Sequence, residues 1–232
     1  MTKSRNPKPH VLPEPPTWDA RLARRLVTPL VGSRITPNHL TSLRLLIGIA
    51  GAYYLSLGTF WLCTFGAALI ALSNFVDHTD GELARISGQS SKLGHFYDLA
   101  CDFLVTVLLF VGVGFHVGVH HPGMAVPAEW LGGIAGVAVG FIFFMRMRIE
   151  SMAGKNGTRQ ASVAGFETED VLYLLPLVTL LNGMTPFLIA ASIGAPIFAV
   201  WVLVDHRRIV RQGSKRVAPN KDADGQDFQA VQ

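Results

Sequence analysis

Asp77-His78-Thr79-Asp80-Gly81-Glu82-Leu83-Ala84-Arg85, then after eight residues Gly94-His95-Phe96-Tyr97-Asp98-Leu99-Ala100-Cys101-Asp102, is the stretch that decides how this chain is read. On a helix, Asp77 and Asp80 at i, i+3 share a face, and so do Asp98 and Asp102 at i, i+4. About a dozen residues join the two segments, so the helices must be antiparallel neighbours. All four aspartates can then converge at one place.

The flanks say what surrounds them. Residues 45–76 and 171–204 carry no charge, and residues 103–145 carry only Glu129. Of the 232 residues, 50% are hydrophobic and 16% are charged, against about 25% charged in an ordinary globular chain. Uncharged runs of this length exceed the roughly 20 residues that a bilayer span needs. A soluble enzyme, a secreted disulfide scaffold and a disordered chain are excluded. The fold class expected is all-α, a polytopic membrane protein. Cys63 and Cys101 lie in apolar segments without metal-ligand spacing and read as buried reduced thiols.

Each uncharged block is too long for one span and suits two, which gives six transmembrane helices. The first pair runs from about His39 to Ser56 and on toward Asp80. The second runs from about His95 to Gly118 and from Glu129 to Arg146, and the third comprises helices of about 16 to 18 residues on either side of Asn182-Gly183-Met184-Thr185-Pro186. With both termini inside, all twenty Lys and Arg fall toward one side and the outer loops hold none, as the positive-inside rule requires of cytoplasmic segments. Trp18, Leu22, Leu26 and Leu30 recur every fourth residue with Arg21, Arg24 and Arg25 off that stripe, the pattern of an N-terminal amphipathic surface helix on an anionic leaflet.

Three parts are therefore expected: a cytoplasmic segment over 1–38 with that helix, a six-helix domain over 39–206, and a disordered cytoplasmic tail over 207–232. The first 38 residues are polar, basic and rich in Pro, unlike a signal peptide. The net charge of +4 follows from the topology, and no nucleic-acid partner is expected.

Four carboxylates converging beside lipid cannot stay ionised without counter-charge. Hard divalent cations answer that need, because Mg²⁺ and Mn²⁺ prefer oxygen ligands. Two such ions would balance four aspartates and leave positions open for phosphate oxygens, the arrangement used for in-line phosphoryl displacement. Gly81, Ala84 and Gly94 would let a bulky polar group approach the backbone, and Arg85 would meet a phosphate or carboxylate.

The full pattern Asp-x₂-Asp-Gly-x₂-Ala-Arg-x₈-Gly-x₃-Asp-x₃-Asp, unbroken from Asp77 to Asp102, resembles the signature of the CDP-alcohol phosphatidyltransferases. Thr36-Pro37-Asn38-His39-Leu40-Thr41-Ser42-Leu43-Arg44 is similar to the family's lead-in to its first span. The resemblance implies that Asp77, Asp80 and Asp98 bind the metals, with Asp102 both a ligand and the base that deprotonates the acceptor hydroxyl. It implies a CDP-linked donor such as CDP-diacylglycerol, held by Asp77, Gly81, Ala84, Arg85 and Gly94 with Asn38 and Thr41 nearby. It further implies an alcohol acceptor, membrane lipids around the chain, a homodimer and a role in phospholipid biosynthesis. The location implied is a bacterial-type inner or plasma membrane, with the active site cytoplasmic.

The acceptor stays open. Phe103 after Asp102 departs from both the glycerophosphate-type and the inositol-phosphate-type endings of the motif, whereas Ser90-Ser91-Lys92-Leu93-Gly94 with Cys101-Asp102 resembles choline and ethanolamine phosphotransferases. A phosphorylated acceptor would need cations beyond Arg85, for which Arg146, Arg148, Lys155 and Arg159 are candidates; Glu167 before span five could recognise a cationic headgroup or simply complement a helix dipole. His78 and His95 read as neighbours of the aspartates rather than ligands. His116, His120 and His121 at the far end read as loop residues or a second metal site. The competing class is a cation- or proton-coupled transporter, but transporters place such charges near the midplane of broken helices and often repeat their halves.

Overall fold

The computed structural model describes residue 15 and residues 17–153 and 168–216, and it is built of helices. In chain order these are α1 (Trp18–Val27), a 3₁₀ turn (Thr28–Leu30), α2 (Pro37–Ser56), α3 (Phe60–Ser87), α4 (Lys92–His120) and α5 (Ala128–Ala153). A second 3₁₀ segment (Thr168–Leu174), α6 (Leu175–Leu180) and α7 (Met184–Arg216) follow.

Local chemistry sets the boundaries near the motif. Pro37 opens α2, where its missing N–H costs nothing, and the Thr36 N–H donates to His39 Nδ1 at 3.2 Å. Gly88, in the left-handed region at φ 68°, ends α3, and the Ser91 hydroxyl accepts from the Gly94 N–H at 2.9 Å to start α4. The linker is thus shorter than the sequence suggests, because both helices run on through the motif. At about 1.5 Å per residue, the 28 residues of α3 reach roughly 42 Å, beyond a hydrocarbon core of about 30 Å.

Among the described residues, four helices are long and apolar enough to cross a membrane: Phe60–Ser87, Lys92–His120, Ala128–Met145 and Met184–Arg207. The two helices expected on either side of Asn182 are very unequal. The first is the 3₁₀ segment followed by six-residue α6, because Pro176, in the first turn of α6, cannot donate back into a continuous helix. The second, α7, has 33 residues and carries Pro196 without a break. Asn182 turns the chain between them at φ 54°.

α3 and α4 pack against α2; α4 also packs on α5, α5 on α7, and α1 and α6 on α3. Leu55, Ile70, Leu109, Val113, Leu175 and Leu188 fill the centre of the bundle, together with buried Cys63. The α2–α3 contact depends on small residues: a Cβ on Gly66 would fall 2.6 Å from the Gly51 carbonyl oxygen. That approach fixes the register of α2 on α3, and with it the placement of Thr41 and Arg44 against the motif.

Candidate active site

Four aspartates and one arginine occupy the end of the bundle where α3 leaves and α4 begins. Asp77, Asp98 and Asp102 each bring a carboxylate oxygen within 4.8 Å of the other two, the only described group of three His, Cys, Asp or Glu donors to do so. Asp80 is set apart from them. It accepts from the Thr41 hydroxyl at 2.7 Å and is almost fully buried.

Arg44 lies at the centre. Its guanidinium nitrogens stand 3.0 Å from Asp77, 3.8 Å from Asp80, 2.9 Å from Asp98 and 2.5 Å from Asp102, and its side chain is 3% exposed. It also donates to the Asp98 carbonyl at 2.8 Å, while the Ser73 hydroxyl donates to its own carbonyl at 2.8 Å. Part of the counter-charge therefore comes from the chain itself, which the sequence reading did not foresee. The signal was available, since Arg44 alone interrupts the apolar face of α2, one turn past Thr41.

One guanidinium against four carboxylates leaves three negative charges if all are ionised, and Arg44 Nε has no hydrogen-bond partner. An all-oxygen donor set with that surplus fits hard divalent cations. The implied metal therefore suits the residues present.

Beside the carboxylates is a cavity of about 560 Å³, whose wall includes Asn38, Thr41, Asp80, Gly81, Ala84, Arg85, Gly94, His95 and Asp98. Every residue expected around the donor lines this one space except Asp77, which stands in the carboxylate group behind it. A Cβ on Gly81 would meet nothing within 4 Å, whereas one on Gly94 would come within 3.1 Å of Asn38 Oδ1. Gly81 thus opens the cavity and Gly94 brings α4 close to the start of α2.

α3 has a second polar face, and it meets α1. Asp19, 1% exposed, lies 2.8 Å from His78 Nε2 and accepts from the Tyr173 hydroxyl at 3.3 Å. Burial pushes the Asp19 carboxyl up, but hydrogen bonds from Thr17, Ala20 and Tyr173 and the charge of His78 outweigh it and hold it below the usual carboxylate range. Glu82 pairs with Arg24 at 2.6 Å and with Arg85. His78 turns toward α1 rather than the carboxylates, and His95 joins the cavity wall.

Of the acceptor candidates, Arg148 is exposed on α5 and Arg146 belongs to the same helix, its side chain lying outside the described residues. Glu167, Lys155 and Arg159 also lie outside them. At the opposite end, the His116 and His120 rings lie tilted with centroids 4.6 Å apart and line a cavity of about 140 Å³ with His121 and Cys63. They do not bring three donor atoms together.

The helices and the carboxylate group define an integral membrane protein with a candidate divalent-metal centre beside a cavity of about 560 Å³. The family model described as CDP-alcohol phosphatidyltransferase matches residues 34–204, and the chain belongs to that family. It is 30% identical over 165 residues to a bifunctional IPC transferase and DIPP synthase of Rubrobacter xylanophilus, covering 70% of this chain and 35% of that one. It is 34% identical over 89 residues to the archaetidylinositol phosphate synthase of Pyrococcus horikoshii, covering 38% of this chain and 46% of that one. The chain thus spans less than half the length of these relatives. Its fold is similar to the phosphatidylinositol phosphate synthase of Mycobacterium tuberculosis with CDP-DAG bound, with a TM-score of 0.54 at 22% identity over 86% of this chain and 96% of that one. A second structure of that enzyme, in complex with manganese and citrate, gives a TM-score of 0.52 at 21% identity, over 87% of this chain and 90% of that one.

Proposed function

We propose that the protein transfers a phosphatidyl or related substituted phosphate group from a CDP-linked donor, such as CDP-diacylglycerol, to an alcohol, with release of CMP. The observation that carries this reading is the cavity on whose wall Asp80 and Asp98 stand beside Gly81, Ala84 and Arg85. Asn38 and Thr41 face the cytidine side, and Arg85 meets the diphosphate. Asp77, Asp80, Asp98 and Asp102 hold two Mg²⁺ or Mn²⁺ ions, which when bound neutralise the diphosphate and the leaving CMP. The manganese complex of a protein of similar fold supports a divalent metal as the ion bound.

Asp102 takes the proton from the acceptor hydroxyl. The hydroxyl oxygen then bonds to the lipid-side phosphorus, and the bond from that phosphorus to the bridging oxygen breaks. Arg44 keeps the carboxylates together before and after transfer. Positioning and charge neutralisation supply most of the rate.

We take a phosphorylated inositol as the first acceptor to test, a choice supported by the inositol phosphate in the names of two similar proteins. Arg146 and Arg148 would then receive the acceptor phosphate, and Glu167 the hydroxyl side. In the membrane we place six crossings, with α2 as the first and the short apolar stretch Val171–Leu180 as a partial fifth. This reading is supported by the 20-residue length of α2 and by the alternation of Lys/Arg-bearing and Lys/Arg-free connections along the chain. Both termini and the site face the cytoplasm, α1 lies on the inner leaflet, and the protein works as a homodimer in a bacterial-type inner or plasma membrane.

The test is CMP release by purified protein with Mg²⁺ or Mn²⁺ and CDP-diacylglycerol. Inositol phosphate, inositol, glycerol phosphate, serine, choline and ethanolamine are compared as acceptors, and CDP-choline and CDP-ethanolamine as donors to diacylglycerol. No CMP with any pair would sink the transferase reading in favour of cation transport.

A further inference from the structure

α1 and the donor cavity meet at a single carboxylate. Glu82 Oε2 accepts from Arg24 Nε at 2.6 Å, and Glu82 Oε1 accepts from Arg85 Nη1. Glu82 is 1% exposed, so this charge depends on both partners, because a buried carboxylate that loses a cation keeps its desolvation cost. Arg85 is 60% exposed and lines the cavity, and among the described residues the recorded partner that holds its flexible side chain is Glu82. Charge-assisted pairs of this kind fix geometry as well as adding energy.

We propose that Glu82 is a positioning residue. It presents Arg85 to the diphosphate of the donor and makes that presentation depend on the seating of α1, through Arg24. The proposal rests on the reading of the cavity as the site of a CDP-linked donor. It gives α1 a role beyond anchoring, since Trp18, Leu22 and Leu26 lie exposed on this helix while Asp19, Ala20, Ala23 and Val27 are buried.

The geometry supplies its own control. Asp19 and His78 form a second α1–α3 contact one turn earlier on α3, and Asp19 does not touch Arg85. Loss of the Asp19–His78 contact leaves Arg24 seated on Glu82, whereas loss of the Glu82 contacts frees Arg85.

The experiment compares full-length Glu82→Gln, Arg24→Gln and Asp19→Asn in nanodiscs, each checked by thermal melting. The rate of phenylglyoxal modification at Arg85, read by peptide mass spectrometry without substrate, should rise several-fold in Glu82→Gln and less in Arg24→Gln. It should be unchanged in Asp19→Asn. The Kd for CMP in the presence of Mg²⁺ should weaken about tenfold in Glu82→Gln, the scale of one charge-assisted hydrogen bond, and by less in Arg24→Gln. It should stay within about twofold in Asp19→Asn. Wild-type values in both Glu82→Gln and Arg24→Gln overturn the proposal, and so does an Asp19→Asn effect as large as theirs, which would mean a merely structural role. If Glu82→Gln does not fold, Arg24→Gln decides by the same two readouts. A wild type that binds no CMP while Arg85 labelling responds as expected defeats the donor reading and leaves the clamp standing.

Discussion

Arg44 Nη1 lies 2.5 Å from Asp102 Oδ1, so the most buried cation of the site rests against the carboxylate proposed as its base. The same guanidinium reaches three other aspartates, and no other described side chain is paired with all four. Its position brings α2 into the carboxylate group, although the signature residues lie on α3 and α4.

Replacing Arg44 by Met should leave the carboxylates to repel one another. A buried pair that loses one partner typically costs about 3–5 kcal/mol. The variant should melt well below wild type in metal-free buffer, and Mn²⁺ should raise its melting temperature more than it raises that of wild type. Equal melting of the two proteins without metal would remove Arg44 from this role.

Asp102→Asn should fold normally and lose at least about a hundredfold in kcat, the low end of a positioned base's contribution. EDTA should abolish CMP release by wild type, and Mn²⁺ or Mg²⁺ should restore it. Turnover by the variant at the wild-type rate would assign the proton to another group.

Gly81→Leu separates the cavity from the fold. A Cβ there meets nothing within 4 Å, so melting should hardly change. The added side chain projects into the donor space, and KM for CDP-diacylglycerol should rise by about tenfold, the effect of roughly 1.4 kcal/mol. An unchanged KM would move the donor elsewhere.

Gly66→Ala tests the opposite case. Its Cβ would sit 2.6 Å from the Gly51 carbonyl oxygen and within 2.6 Å of the Leu55 nitrogen, both backbone atoms that cannot swing away. Overpacking of this kind costs about 1–3 kcal/mol. Lower melting with CMP binding retained in the folded fraction is the expected result.

The depressed Asp19 carboxyl gives a pH dependence. A carboxylate with a lowered folded-state pKa contributes stability above its unfolded value, near 3.9, and that contribution is lost as pH falls through the folded value. Stability should therefore fall on the acid side, and Asp19→Asn should be less stable than wild type near neutrality but flatter in acid. Parallel pH profiles for the two proteins would exclude the contribution.

Much of this was legible in the chain. The i, i+3 and i, i+4 aspartate pairs, the uncharged flanks and the glycines of the motif follow from helical periodicity and from the cost of charge in lipid, both local properties. They determined an all-helical membrane protein with four acids at one end, and they set Gly81, Ala84 and Arg85 on the helix that carries the first two. What local rules could not supply was pairing across distance. Arg44 meets Asp102 across 58 positions, as Arg24 meets Glu82, and Asp19 meets Tyr173 across 154. Those pairs exist because close helix contacts, such as Gly51 against Gly66, fix one register out of several that the hydrophobic pattern allows. Tertiary structure alone decided that Arg44 is a counter-charge within the site, that Asp80 turns to Thr41, and that α1 is joined to the cavity through Glu82. It also decided that the segment before Asn182 is a 3₁₀ stretch followed by a six-residue helix with Pro176 in its first turn. The sequence determined which groups gather at that end of the bundle; packing determined which of them touch.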